Sequence, residues 1–324
     1  MSFSELAVTA THAVDLAWAA GGPAERERHW LRIHGDAALA AWLAGLQPTH
    51  LHFGSEFCEH LLPAERVLRE ALRRVEEAGL RFVLLTPVAS PDVLARLHGL
   101  LPMLPAGTEV VANDWGVAHE LHTRFPALLP VAGRVLCRMT KDPRLHPGWA
   151  GRCGHGLAAP TMRALFERLG ILRLELDMPV FADDGALEGL PLPAGVHLPC
   201  VYVAKGRMCR AGGLSMKGPE RFAVGRRCRK ECLRVAAEAS RPGRDDACRT
   251  IQLGNTLFSR HSDAMAQALR RAADALKEVR SSDGIPTSTT RAYISGFSRR
   301  LALALWRAAD AGRIARLVVA GEPL

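Results

Sequence analysis

The sequence predicts an α/β fold of the TIM-barrel type, in which parallel strands are covered by helices. Two observations carry this. From Pro48 onward, short apolar runs alternate with amphipathic helical stretches, the pattern of a parallel sheet wrapped by helices. The number of such units, in a chain of 324 residues, suits a closed or partly closed barrel. One barrel-like domain over residues 1–324 is therefore expected, with 1–48 a weakly patterned leading segment and 233–324 completing the barrel.

Residues 1–48 open on a short apolar strand or turn and end in the helical run ALAAWLAGL. There Leu39, Trp42, Leu43 and Leu46 recur at helical spacing. THLHFG (49–54) is the first clear strand. PAERVLREALRRVEEAG (63–79) sets Val67, Leu68, Leu72 and Val75 on one side of a helix and stops at a glycine. LRFVLLTPV (80–88) is a continuous apolar run of the kind a buried parallel strand shows, and Ser90 with Pro91 then starts a helix. TEVVAND (108–114), LPVAGRVLCR (129–138), ILRLELDMPV (171–180) and LPCVYVA (198–204) are further strands, with WGVAHELHTRF and PTMRALFERLG helical between them. Beyond Cys232 come an Arg/Pro/Gly-rich loop (240–246), a strand-like TIQLGNTLF and a helix over 261–280. That helix has Asp263 near its start and Lys277 and Arg280 at its end, as the helix dipole favours. A polar linker, SSDGIPTSTT, leads to a last helix within RAYISGFSRRLALALWRAADAG.

Composition narrows the class. An apolar content of 48% supports a large core, and no apolar run reaches membrane-spanning length. Glu5 and Asp15 in the opening stretch, without a basic leader, predict a soluble cytoplasmic chain. The formal charge of +9 admits two readings, an anionic partner such as nucleic acid or a solvated basic surface. No Walker motif, no G-x-G-x-x-G after a strand and no G-x-S-x-G elbow is present, so nucleotide binding and serine hydrolysis have no support.

The eight cysteines point to reduced thiols, metal ligands or core packing rather than a disulfide scaffold. Four lie between Cys200 and Cys232, among nine basic residues and two acids. Positive charge favours the thiolate that ligates metal, so the stretch reads first as a cluster site. If their segment is helical, Cys228 and Cys232 share one face. With Cys209 they leave one ligand to find. Cys58, just past a predicted strand where barrels place active-site loops, is one candidate, and Cys200 is its rival. Four thiolates suit a 4Fe-4S cluster or zinc, and spacing does not separate these. Cys137 and Cys200, inside apolar strands, fit small core residues. Cys153 beside His155, and Cys248, lie in polar loops.

Three carboxylates are weak catalytic candidates. Asp114 ends a strand and is equally placed to cap the next helix. Glu175 and Asp177 alternate by two, so they face one side of their strand and suit a barrel mouth. His119 and His122, at i, i+3, fit an exposed helix face better than a ligand pair. Asn255 in LGNT suits a turn or a loop anchor.

These residues together resemble the peptidase U-thirty-two family, closest to its branch for oxygen-independent ubiquinone biosynthesis. The likeness lies in HFGSEFCEH, VVANDWGVAHEL, LPCVYVAKGRMC, CRKEC, LGNTLFS and SGFSRRLALAL, in order from about residue 49. The resemblance implies a TIM-barrel-like fold and a 4Fe-4S cluster on Cys58, Cys209, Cys228 and Cys232. It further implies a part in oxygen-independent hydroxylation of an aromatic ring, acting on a quinone precursor in a heterodimer with a UbiU-like family member, and prephenate as hydroxyl donor. Relatives hydroxylate RNA bases, so an RNA-acting paralog or a non-catalytic RNA-binding scaffold with a structural metal is the alternative. Peptidase activity is not expected, because no nucleophile and base form an assignable motif.

Overall fold

The computed structural model describes residues 3–12, 15–139, 155–177, 187–206, 208–214, 216–222, 228–240, 249–260 and 307–322. Eight strands close a barrel: β1 (Glu5–Ala10), β2 (His50–Gly54), β3 (Arg81–Leu85), β4 (Glu109–Ala112), β5 (Leu129–Ala132), β6 (Arg173–Asp177), β7 (Ala194–Leu198) and, much later, β12 (Ile314–Ala320). Every neighbouring pair is parallel, and β12 closes the ring between β7 and β1. Between β7 and β12 the chain builds a second, antiparallel sheet from β8 (Cys200–Lys205), β9 (Ala236–Ser240), β10 (Arg249–Leu253) and β11 (Thr256–Arg260), in the order β8-β11-β10-β9.

Helices α1 (Ala17–Ala20), α2 (Pro23–His34), α3 (Ala37–Ala44), α4 (Glu65–Glu77), α5 (Pro91–Leu100), α6 (Trp115–Arg124) and α7 (Pro160–Arg168) occupy the connections. They start where the residues dictate. Asp36 and Ser90 accept the N–H groups of Leu39 and Val93, and Pro91 and Pro160 stand in first turns that need no donor. No helix among the described residues is long and apolar enough to cross a membrane.

Period-two alternation divides each barrel strand between two environments. Leu6, Val8, Leu51, Phe53, Leu84, Val110, Leu174, Leu176, Val196, Leu317 and Val319 face outward into the layer shared with the helices, which forms the main core. The lumen is split. Val83, Leu85, Val111 and Val131 fill one side. The other side is ionic: Arg316, fully buried, reaches Glu5 at 2.7 Å, Glu109 at 2.6 Å and His50 Nε2 at 3.0 Å. Register sets these groups side by side, because Glu5 pairs with Arg316, Arg316 with Gly195 and Gly195 with Glu175. Gly195 is needed there, since a Cβ would stand 2.8 Å from the buried Glu175 carboxylate.

The structure corrects three expectations. LPCVYVA does not join the barrel: AGVHL (194–198) is the seventh strand, and the chain leaves the barrel at Cys200 to start the antiparallel sheet. The run LPVAGRVLCR is strand only to Ala132. Cys137 lies in the following turn, still buried, with its Sγ donating to the Ala132 carbonyl. Cys228 and Cys232 share no α-helical face, because Lys230 takes a left-handed φ of 58° that breaks the helical ladder and Glu231–Leu233 forms a single 3-10 turn. The helix expected over 261–280, the linker after it and most of the last helix lie outside the described residues, as do Cys153, Cys248, His146, Arg207 and Arg227.

Replacing Arg316 by Met should destabilise the barrel by about 1–3 kcal/mol, because Glu5 and Glu109 keep only Arg173 as counter-charge. Denaturant melts of the two proteins check this, and a difference below about 0.5 kcal/mol would show that Arg173 alone suffices.

Candidate functional site

The carboxyl ends of β2, β5 and β6 converge on one buried side chain. Arg134, just past β5, donates Nε to Glu56 Oε2 at 2.9 Å and Nη1 to Asp177 Oδ1 at 3.0 Å, and a further contact joins Nη2 to Glu56. Burial works against its charge and the two carboxylates outweigh that, so it stays a cation. Its guanidinium also lies 5.0 Å from the centre of the Phe57 ring. Asn113, at the end of β4, donates to the Thr86 carbonyl at 3.0 Å and accepts the Val135 N–H at 2.9 Å, which fixes the loop carrying Arg134.

Asp177 has a second task. Its Oδ1 accepts the Tyr202 backbone N–H at 2.9 Å and so pins the antiparallel sheet to the barrel mouth. Phe57 stacks on Tyr202 at 4.6 Å and meets Phe258 edge-on at 5.5 Å. Cys200 is buried among these rings and Ile251, and burial pushes its thiol up to about 12. It is a core residue of the join between the two sheets.

Cys58 follows two residues after Glu56. Ser55 Oγ accepts the N–H groups of Phe57 and Cys58, turning the chain at the end of β2, and Cys58 then leads into a 3-10 turn over Glu59–Leu61. The hairpin turn Gly254–Asn255 faces this loop. Asn255 Nδ2 donates to the Phe57 carbonyl at 2.9 Å and to the Gly206 carbonyl at 3.1 Å, and the Arg210 N–H reaches the Gly254 carbonyl at 3.0 Å. One amide thus ties the Cys58 loop to the loop carrying Cys209. Gly254 has φ 58°, and a Cβ there would stand 3.2 Å from Cys232 Cβ and 3.9 Å from Cys209 Sγ. Only glycine leaves that room without strain.

Cys58, Cys209 and Cys232 pack with Leu61 and Ala211, and Cys58 and Cys232 both feel the Cys228 thiol. Burial pushes Cys232 up to about 12, with Cys58, Cys209 and Cys228 adding to it; burial also raises Cys58, against the pull of the His60 and Leu61 N–H groups. For Cys232, as for Cys200, this reverses the expectation that local positive charge lowers the thiol. Arg210, Lys217, Arg221, Arg229 and Lys230 are exposed, and burial is the stronger influence. None of the six described cysteines forms a disulfide.

Cys58, Cys209, Cys228 and Cys232 are the residues here that could hold a metal or cluster. Backbone N–H groups point at two of the sulfurs, Gly212 at Cys209 Sγ (3.4 Å) and Lys230 at Cys228 Sγ (3.3 Å), an arrangement that stabilises thiolate and tunes iron–sulfur centres. Among the described residues no three His, Cys, Asp or Glu side chains converge tightly enough for one metal ion.

A cavity of about 110 Å³ lies between the thiols and the lumen, lined by Glu56, Phe57, Arg134, His197, Cys58 and Asn255 among others. His197 Nε2 is 2.8 Å from Glu175 Oε2. Burial raises Glu175 to about 7 despite Arg316 nearby, while burial and then Arg316 hold His52 well below its usual range. Of the three expected carboxylates, Glu175 and Asp177 do point inward. Asp114 caps α6 through Gly116 N–H at 2.7 Å and lies near Lys205, outside the lumen. His119 and His122 are exposed on α6. Sequence reasoning passed over Glu56, Arg134, Asn113 and His197; for the first three the signal was charge or amide at the first positions past a buried strand, while His197 lies inside β7.

A carboxyl that ionises later in the folded state than in the unfolded one gives stability that is full below about pH 4.3 and lost as pH rises towards 7. The stability of the native protein relative to Glu175→Gln should therefore fall across that range in parallel denaturant melts. A difference that stays flat or grows with pH would show that Glu175 is ionised throughout.

Scans against protein-family models and curated proteins match nothing to this chain, which leaves its residues and their geometry as the ground for its function.

Proposed function

We propose that the chain is an iron–sulfur protein, holding a 4Fe-4S cluster on Cys58, Cys209, Cys228 and Cys232, that takes part in oxygen-independent hydroxylation of an aromatic ring. What supports this is the packing of Cys58, Cys209 and Cys232, drawn from two remote parts of the chain, with Cys228 close enough to influence Cys58 and Cys232, at the carboxyl end of a barrel beside a cavity with aromatic walls. That is the end where barrel enzymes assemble their sites. The resemblance to the ubiquinone-biosynthesis branch of the peptidase U-thirty-two family supports the ubiquinone pathway, a quinone precursor as substrate and a UbiU-like partner.

The cluster would supply or accept single electrons. The chain's own residues have the other tasks. Phe57 and Phe258 give a planar ring an apolar wall, and the cavity is of the order of the ~150 Å³ space known to take a benzene. Arg134, held by two carboxylates that more than neutralise it, fixes the shape of the cavity wall rather than adding net positive charge. His197 and Glu175 hold a proton between Nε2 and Oε2 where the cavity meets the lumen, and a carboxyl near neutrality suits proton transfer at pH 7.

The net charge of +9 favours a second reading, an RNA-acting paralog or RNA-binding scaffold. Its mark is RNA affinity that falls steeply with salt, and no binding at low salt ends it.

Anaerobically purified protein should be brown with about four irons per chain. Cys58→Ser, Cys209→Ser, Cys228→Ser and Cys232→Ser should each lose most of that iron, while Cys200→Ser keeps it. Colourless protein with stoichiometric zinc, or loss with Cys200→Ser but not Cys58→Ser, contradicts the assignment.

A further inference from the structure

The excursion that carries three of the cysteines also carries four of the six large apolar side chains exposed on the described surface: Leu214, Met216, Leu233 and Val235. Solvent exposure of this kind, gathered in one place, marks an interaction site. The 3-10 turn Ala211–Gly213 touches both the Pro219–Phe222 and the Glu231–Leu233 turns, which brings the exposed Leu214, one residue past the first turn, close to the segment that bears the exposed Leu233. Ala211 and Cys232 pack with Cys58 and Cys209 directly beneath it. Around this apolar centre stand the exposed Arg210, Lys217, Arg229, Lys230 and Arg234, against Glu220, Glu231 and Glu238.

Two kinds of anionic macromolecule meet such a rim. Single-stranded nucleic acid is gripped by aromatic side chains that stack on bases, and none of the exposed large apolar residues described is aromatic. An aliphatic and methionine centre with a basic rim matches a protein interface whose partner is acidic. We infer that this face docks an acidic electron-carrier protein. The inference rests on the cluster proposed above. In the step it serves, the reduced carrier gives up one electron and the cluster gains it, with no bond made or broken and no proton moved.

The test uses anaerobically purified full-length protein and, as probe, a reduced acidic plant-type 2Fe-2S ferredoxin, with electron transfer followed by stopped-flow absorbance. The second-order rate should fall at least ~10-fold as ionic strength rises from about 0.01 M to 1 M, over which the screening length shrinks from ~30 to ~3 Å. At low salt, Lys217→Glu combined with Arg234→Glu, and separately Leu214→Asp, should each slow it ~10-fold or more, with iron content and reduction by dithionite unchanged. If a variant fails to load iron, the salt series on the native protein decides. A rate indifferent to salt overturns the docking face while leaving the cluster intact. So does a single-stranded RNA that binds, and is lost in the Lys217/Arg234 variant, when ferredoxin does not react. Native protein without iron overturns the cluster reading itself, and the electron transfer with it.

Discussion

The site depends on the buried ion triad of Glu56, Arg134 and Asp177. Three charges taken out of water are costly, and the cost is offset only while each is paired at hydrogen-bond distance. That condition fixes three loops at once. Glu56 sets the course of the chain into Cys58, Arg134 holds the end of β5, and Asp177 carries the barrel's hold on the antiparallel sheet through Tyr202. The cysteine site is thus an extension of the barrel mouth. Asn255 completes the link from the other side, since one amide group spans the Cys58 and Cys209 loops.

The lumen shows a related division between stability and chemistry. Apolar residues on β3, β4 and β5 fill one half as an ordinary barrel core. The other half buries Arg316, Glu175, His52 and His197, an arrangement that costs stability unless the pairings are complete. Burial holds Glu175 near neutrality and keeps His52 neutral, so protons rather than fixed charges adapt to the low dielectric. Within this network His197, paired with Glu175, is the residue that reaches the cavity.

Much of the barrel was legible because its outward faces are plain: LRFVLL and TEVVA are apolar runs that only a covered strand explains. Two strands escaped notice. AGVHL carries Gly195 and His197, and IARLVVA carries Arg316, so both lack the uniform pattern that marks a buried parallel strand. Cys58 was legible as a residue past a strand end, and Glu175 with Asp177 by alternation. Arg134 was not, because its partners lie 78 and 43 residues away and no local pattern records such a pairing. The influence on Cys232 was misread for a similar reason: a run of basic residues in sequence becomes a solvated rim in space, and burial then weighs more on that thiol.

The triad's hold on the site is tested most directly by Arg134→Met, with iron content and thermal stability measured on the same anaerobic preparation. Loss of most of the iron, together with destabilisation of about 3–5 kcal/mol from the two stranded carboxylates, is the expected result. Full iron loading at native stability would mean that the cysteine site assembles independently of the barrel mouth.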